Sequence, residues 1–200
     1  ALEILAERGR IHEKAYLDHL KDENLSVVDI QGTGVDEDAA AATLAALKSG
    51  VSVVSQAALR SGAWAGRADI LVRVERPSAL GSWSYEVVDT KLAQTTRGST
   101  LMQLCLYSEL LEILQGLMPE HAYVVTPETG FQKQAYRVAD FSAYYRHIKK
   151  RFEDFLGQYP IPDTETYPEP VPYCEVCRWR LECNARRRKD DHLSFVAGIT

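Results

Sequence analysis

The sequence lacks any unbroken apolar run near the roughly 20 residues that cross a bilayer, so no membrane helix is expected. Its first residues, Ala1 to Gly9, carry neither a basic start nor a small-residue cleavage site, and no signal peptide is read there. It has no excess of positive charge. The net charge is −5, which gives no global argument for nucleic-acid binding, so any contact with DNA must come from a local basic surface. There are only four cysteines, three of them crowded near the end, unlike the disulfide framework of a secreted protein. In a cytosolic chain that spacing points to metal, and a cytoplasmic location is expected. No internal repeat is visible.

Two hundred residues suffice for one domain with a sizeable core, or for one domain plus an appendage. The apolar and charged fractions are those of an ordinary globular protein. The chain opens within a helical pattern, without a cap or an initiator Met, so further natural sequence is expected upstream. Residues 2–20 read as a helix with Leu2, Leu5, Ile11, Ala15 and Leu20 as its inner face. A short strand follows at 26–30. Residues 36–48 form an Ala-rich helix with an acidic start, closed by Gly50.

Three strands are predicted next, at 51–59, 68–75 and 83–92, the last two joined as a hairpin by the turn Arg76 to Ser82. Ser99 and Thr100 are placed to cap a long helix ending near Gly116. Strands at 121–126 and 132–138 precede a helix capped by Asp140 and running to about Phe155. From Tyr159 to Tyr173 five prolines mark an extended connector, and a Cys- and Arg-rich tail follows.

The chemistry concentrates in Gly66-Arg67-Ala68-Asp69 and Val87-Val88-Asp89-Thr90-Lys91. Asp89 and Lys91 are two apart on a strand and share a face. Paired residues of a hairpin have a constant sum of numbers. With the turn centred at Ala79 or Leu80, Asp69 falls opposite Asp89 to Lys91. Two carboxylates and an ammonium then converge on one patch. Like charges facing across a sheet repel, and a divalent ion with oxygen ligands, Mg²⁺ or Mn²⁺, removes that penalty. Such an ion activates water and polarises a phosphodiester. Lys91 would orient or deprotonate the water, or neutralise charge developing on the phosphate. The alternative is an ordinary Asp–Lys ladder on a solvated sheet. Glu86 lies on the opposite strand face and is left out of the site, while Gln56, one strand earlier, is at most a guess.

Asp69 followed by Asp89-Thr90-Lys91 resembles the PD-(D/E)xK nuclease superfamily. Gln103-Leu104-Cys105-Leu106-Tyr107 is similar to the QxxxY motif of its RecB-type branch, and Gly9-Arg10-Ile11-His12-Glu13 resembles that branch's G-x-x-H-E helix. The order of elements agrees along essentially the whole chain. The nearest resemblance is to the cysteine-tailed RecB-like nucleases, AddB and the CRISPR-associated exonucleases among them. It implies an α/β fold with a restriction-endonuclease-like core: a helix, a mixed sheet whose hairpin carries the acidic site, and flanking helices. The core would span 1–158, and a connector and metal-bearing tail, 159–200, would pack on it. It implies a metal-dependent DNA nuclease, often fused to a helicase. His12, Asp69, Asp89 and the Thr90 carbonyl would hold Mg²⁺ or Mn²⁺.

Gln103 and Tyr107, four apart on one helix, share a face. Their polar tips would hold Lys91 or a DNA phosphate while Leu104, Leu111 and Leu114 pack the core. Read without the resemblance, they are an ordinary amphipathic helix, and His12 is an ordinary helical histidine.

Cys174-x-x-Cys177 and Cys183 can wrap one metal or cluster, but three ligands leave a tetrahedral zinc or a [4Fe–4S] cluster one short. Cys105 sits in the QxxxY helix as an apolar-like residue. The resemblance places the missing cysteine upstream of the His12 helix, so a structural [4Fe–4S] cluster is expected, with Zn²⁺ the alternative. Arg178, Arg180, Arg186 and Arg187 form a local basic patch that would contact the DNA backbone, or simply a solvated helix. Trp179 is expected to pack under the tail rather than to stack on a base. The expected function is DNA phosphodiester hydrolysis, as an exonuclease domain of a helicase-associated repair protein. The rival is a non-catalytic DNA-binding or scaffolding module.

Overall fold

The computed structural model describes residues 2–93, 95–157 and 167–196. The chain forms two compact units, Ala1–Phe152 and Glu153–Thr200. The first is an α/β unit around one mixed six-stranded sheet, in the spatial order β1-β2-β3-β4-β5-β6. Among the described residues no helix is long and apolar enough to cross a membrane.

The helix α1 spans Leu2–Asp22. Its buried side is His12, Tyr16 and Leu20, whereas Ile11 is 59% exposed, a correction to the predicted inner face. Leu20 is buried as expected, and Ile11 is not, because the apolar Ile11 marks the stripe less faithfully than the polar His12. The side chains of Leu2 and Leu5 lie outside the described residues. β1 (Val27–Asp29) runs parallel to β2 (Val53–Ser61). Between them, α2 (Glu37–Ser49) starts at Asp36, whose carboxylate accepts from the Ala39 amide at 2.8 Å, and ends at Gly50 with φ 71°. That left-handed cap is where glycine is cheapest.

β2, β3 (Trp64–Val74) and β4 (Ser84–Thr90) form an antiparallel meander. α3 (Gly98–Gln115) then returns the chain so that β5 (His121–Val125) lies parallel to β4, and β6 (Gln134–Arg137) closes the edge antiparallel to β5. α3 begins two to three residues before its predicted caps: Arg97 is the N-cap, without a side-chain bond, so Ser99 and Thr100 lie inside the helix. α4 spans Val138–Gly157, with Asp140 in its first turn rather than capping it. In both places the helix extends past the first good capping residue, since packing rather than the cap sets the end.

The sheet separates two apolar layers. On one face Leu71, Tyr85 and Val87 meet Leu104, Leu110 and Leu111 of α3 and Leu47 of α2. On the other, Ile70, Val72, Val88 and Val125 meet Tyr16 and Leu20 of α1. Each fully buried Leu or Val contributes on the order of 2 kcal/mol. This sandwiching sets the C-terminal ends of β4 and β5 between α1 and α3.

The second unit contains short 3₁₀ turns at Pro172–Glu175 and Leu193–Phe195 and the helix α5 (Arg180–Lys189). The predicted connector falls largely on residues 158–166, outside the described residues.

Candidate active site

The hairpin register pairs Ile70 with Val88. One step further, Asp69 faces Asp89 at the open end of β4. Asp89 shares the side of Val87 and points into the α3 layer, where it is 1% exposed. Thr90 fastens Asp69: its amide and its hydroxyl both donate to Oδ2, at 2.9 and 3.0 Å. That leaves Oδ1 as the oxygen not engaged by Thr90. Lys91 Nζ lies 3.0 Å from Asp89 Oδ1 and 2.9 Å from Oδ2. Only the first contact has hydrogen-bond geometry, so the buried Oδ2 accepts no aligned bond. At Oδ2 the ammonium is therefore a near charge rather than an aligned donor.

Glu13 completes the cluster from α1. It accepts a hydrogen bond from Gln56 Nε2. Gln56 lies opposite Asp69, between the paired positions Ser55↔Ile70 and Ala57↔Ala68. Its φ of 54° is left-handed, inside a strand. A non-glycine residue there costs on the order of 1–3 kcal/mol and is characteristic of functional sites. The kink turns Gln56 towards Glu13 on one side and Arg67 on the other. Arg67 Nε donates to Gln56 Oε1 at 3.1 Å, and its guanidinium also reaches the Ile30 and Gly34 carbonyls of the loop before α2. Glu13 and Arg67 were quoted in motifs without a role. Glu13 is adjacent to His12 in sequence, and that adjacency was the signal available.

The electrostatics follow from this crowding. Burial, then Asp69, pushes the Asp89 carboxyl up to about 6, against the opposing pull of Lys91. Burial, then Asp69, also raises Glu13. Burial works against the charge on Lys91, but Asp89 and Asp69 outweigh it and hold the ammonium above its ordinary value. Lys91 is therefore a cation here, not a free base. Tyr107 is raised by burial first and stays a neutral phenol; Gln103 Nε2 donates to its oxygen at 3.0 Å. Tyr107 feels the charges of Asp69, Asp89 and Lys91, so the two helical residues do meet the acidic patch.

His12 is buried, and its Nε2 lies 3.3 Å from the Val125 carbonyl, which also accepts from the Lys91 amide at 3.0 Å. A carbonyl only accepts, so Nε2 donates here, and Nδ1 is the ring nitrogen left for another partner. A backbone carbonyl orienting the other ring nitrogen is the usual support for a ligating histidine. Beside Lys91 opens a pocket of about 560 Å³ lined by Arg97, Ser99, Thr100 and Gln103 among others.

Among the described residues no three His, Cys, Asp or Glu side chains are already gathered around one point as ligands. At the acidic site Lys91 takes up the charge of Asp89 instead. The donor set nevertheless fits a hard divalent ion. Asp89 and Glu13 are both raised, by burial first and then by the charge of Asp69, and Asp89 has a buried oxygen without an aligned partner.

In the second unit Cys174, Cys177 and Cys183 are free and partly exposed. The Val171 amide points at the Cys174 sulfur at 3.3 Å, a bond of the kind that supports thiolate–metal centres. Cys105 is buried, and burial pushes its thiol up to about 11, as expected of an inert residue. Arg178 and Arg180 are exposed and Arg186 is half-buried beside Asp190. Arg187 is not on that surface: it is 3% exposed and donates to Asn184 Oδ1 at 2.6 Å. Trp179 is half exposed under the Arg178 guanidinium, not packed away as expected.

In comparisons with known proteins, no family model and no curated sequence matches the chain.

Proposed function

We propose that this chain is a divalent-metal-dependent DNA nuclease domain, similar to the RecB-type branch of the PD-(D/E)xK superfamily. The observation that carries the reading is the buried carboxylate of Asp89, crowded by the charges of Asp69 and Glu13 and paired with the Lys91 ammonium, with one Asp89 oxygen left without an aligned partner. Such a cluster is costly unless a cation neutralises it. The mixed sheet and the QxxxY pair beside the acids agree with the reading.

Asp69, Asp89 and Glu13, with the Thr90 carbonyl and His12 Nδ1 as further donors, would hold Mg²⁺ or Mn²⁺. When bound, the ion polarises a phosphodiester and lowers the pKa of water. Water adds to phosphorus and the bond to the leaving sugar oxygen breaks. Lys91 stays protonated and stabilises the charge that builds on the phosphoryl oxygens. Thr90 keeps Asp69 in one rotamer. Tyr107, supported by Gln103, is a neutral donor to the same oxygens or a wall that keeps Lys91 in place. The pocket beside Lys91, with Arg97, Ser99 and Thr100 on its wall, gives the DNA backbone an approach to the ammonium.

The cysteine tail is read as the seat of a structural [4Fe–4S] cluster, with Zn²⁺ as the alternative. The donor chemistry of Cys174, Cys177 and Cys183 supports it, as does the amide on the Cys174 sulfur. A helicase in the same natural chain and a cytoplasmic location belong to the same reading.

The deciding experiment is cleavage of end-labelled single- and double-stranded DNA with Mg²⁺, Mn²⁺ or EDTA, comparing the protein with Lys91→Ala. Metal-dependent cutting that the variant loses supports the nuclease and reveals its polarity. Binding without cutting by the wild type would replace this reading with the non-catalytic module.

A further inference from the structure

A groove of about 800 Å³ runs along α1 on the sheet face opposite α3, lined by Tyr16, His19, Arg73, Tyr123, Phe131 and Lys133 among others. Nothing in the proposed hydrolysis uses it. Its wall is built at a cost: Phe131 has φ 68°, directly after Gly130 at 56°. A large aromatic residue rarely adopts left-handed backbone, and strain of this kind persists where the surroundings require it. The bend lays the Phe131 ring against His19, with centroids 5.1 Å apart and planes 21° from parallel. The same ring stacks on His12 at 6.2 Å and tilts against Tyr16 at 5.8 Å. An aromatic row thus connects the groove to His12, whose Nε2 shares the Val125 carbonyl with the Lys91 amide. His19 lies seven residues after His12, about 10 Å along the helix axis.

The charge around the groove is balanced. Arg73 is paired with Glu75 at 3.0 Å, and His19 sits 3.6 Å from Glu23. Lys133 lies over the Tyr123 ring at 4.9 Å. A balanced, aromatic-walled groove favours a flat neutral ring over a phosphate, and base stacking on aromatic side chains is the general way to hold an unpaired nucleotide.

We propose that this groove holds an unpaired nucleobase of the DNA strand whose phosphate lies at the acidic site, stacked against Phe131 and His19. The inference rests on the nuclease reading for the identity of the strand. It makes Phe131 a positioning residue: it sets which nucleotide registers with Asp69 and Asp89 without touching the reacting atoms.

The test uses single-stranded oligonucleotides carrying 2-aminopurine at successive positions and a fluorescein end label, titrated with the protein in EDTA so that nothing is cut. One position should be quenched on binding. Phe131→Leu should abolish that quench and weaken binding about tenfold, Phe131→Tyr should retain it, and His19→Ala should reduce it. Thermal melts establish that each variant is folded. The same quench in Lys91→Ala, with cutting lost, places the base site apart from the chemistry. A quench without metal-dependent cutting in the wild type would keep the groove and overturn the nuclease. Cutting with no quenched position, or a quench unchanged in both Phe131→Leu and His19→Ala, overturns the groove alone.

Discussion

Gly66 and Tyr107 fit only each other: a Cβ on Gly66 would fall within the edge of the Tyr107 ring. The glycine precedes Asp69 on β3, and the tyrosine belongs to the pair on α3 that meets the acidic patch, so strand and helix approach at that point because one side chain is missing. Gly66→Ala should displace Tyr107 and destabilise the fold by about 1–3 kcal/mol, the usual cost of overpacking. Urea denaturation measures this. Combining it with Tyr107→Ala should cost less than the sum of the two single changes, because both act through one contact. Additive losses would show that the strand and helix do not meet this way.

Asp89 should make metal-free stability fall as the pH rises. Its folded carboxyl is raised from 3.8 to about 6, so between these values the folded chain binds more protons than the unfolded one. Stability from this group is fully present below about pH 4 and is lost through about pH 6. At about 1.4 kcal/mol per unit the ceiling is about 3 kcal/mol. Asp89→Asn should flatten that part of the profile and be the more stable protein in EDTA at pH 7. Urea midpoints across the range, compared between the two proteins, check the sign.

Glu13 was not among the predicted ligands, yet it faces Asp69 and Asp89. Glu13→Gln keeps the hydrogen-bonding shape and removes one negative charge. It should raise the Mn²⁺ concentration needed for half-maximal cleavage by about 10- to 100-fold, with the saturated rate less affected. An unchanged metal requirement would make Glu13 a partner of Gln56 only.

Anaerobic purification should give brown protein, with absorbance near the visible edge and iron on elemental analysis. Cys177→Ser should lose both while Cys105→Ser keeps them. Zinc in place of iron would select the alternative. Absence of both metals removes the cluster from the proposal.

The segments legible in advance are those whose pattern is local. Alternation in Ile70, Val72 and Val74, the turn at 76–82, and the acidic start and closing Gly50 of the second helix gave strand, hairpin and helix boundaries within a few residues. The hairpin sum then brought Asp69 opposite Asp89 before any coordinates. Ile11 was misassigned because one apolar residue on an exposed side shifts the apparent phase of a helix. The start of α3 was missed because Ser99 and Thr100 are good caps that packing overrode.

Gln56, Arg67 and Phe131 were illegible for another reason. A left-handed glutamine inside β2 has no sequence signature, and neither does an aromatic residue bent back from the β5–β6 loop. Each is set by contacts with elements far away in the chain. By itself the sequence determined the periodic elements, the antiparallel hairpin and the approach of two carboxylates to one lysine, since spacing along a strand translates directly into position. Only the tertiary structure decided that Glu13 joins them, that Gly66 makes room for Tyr107 and that a groove lies beside α1. It also decided that Asp89 holds its proton up to about pH 6, because burial and the sum of neighbouring charges exist only once the layers have closed.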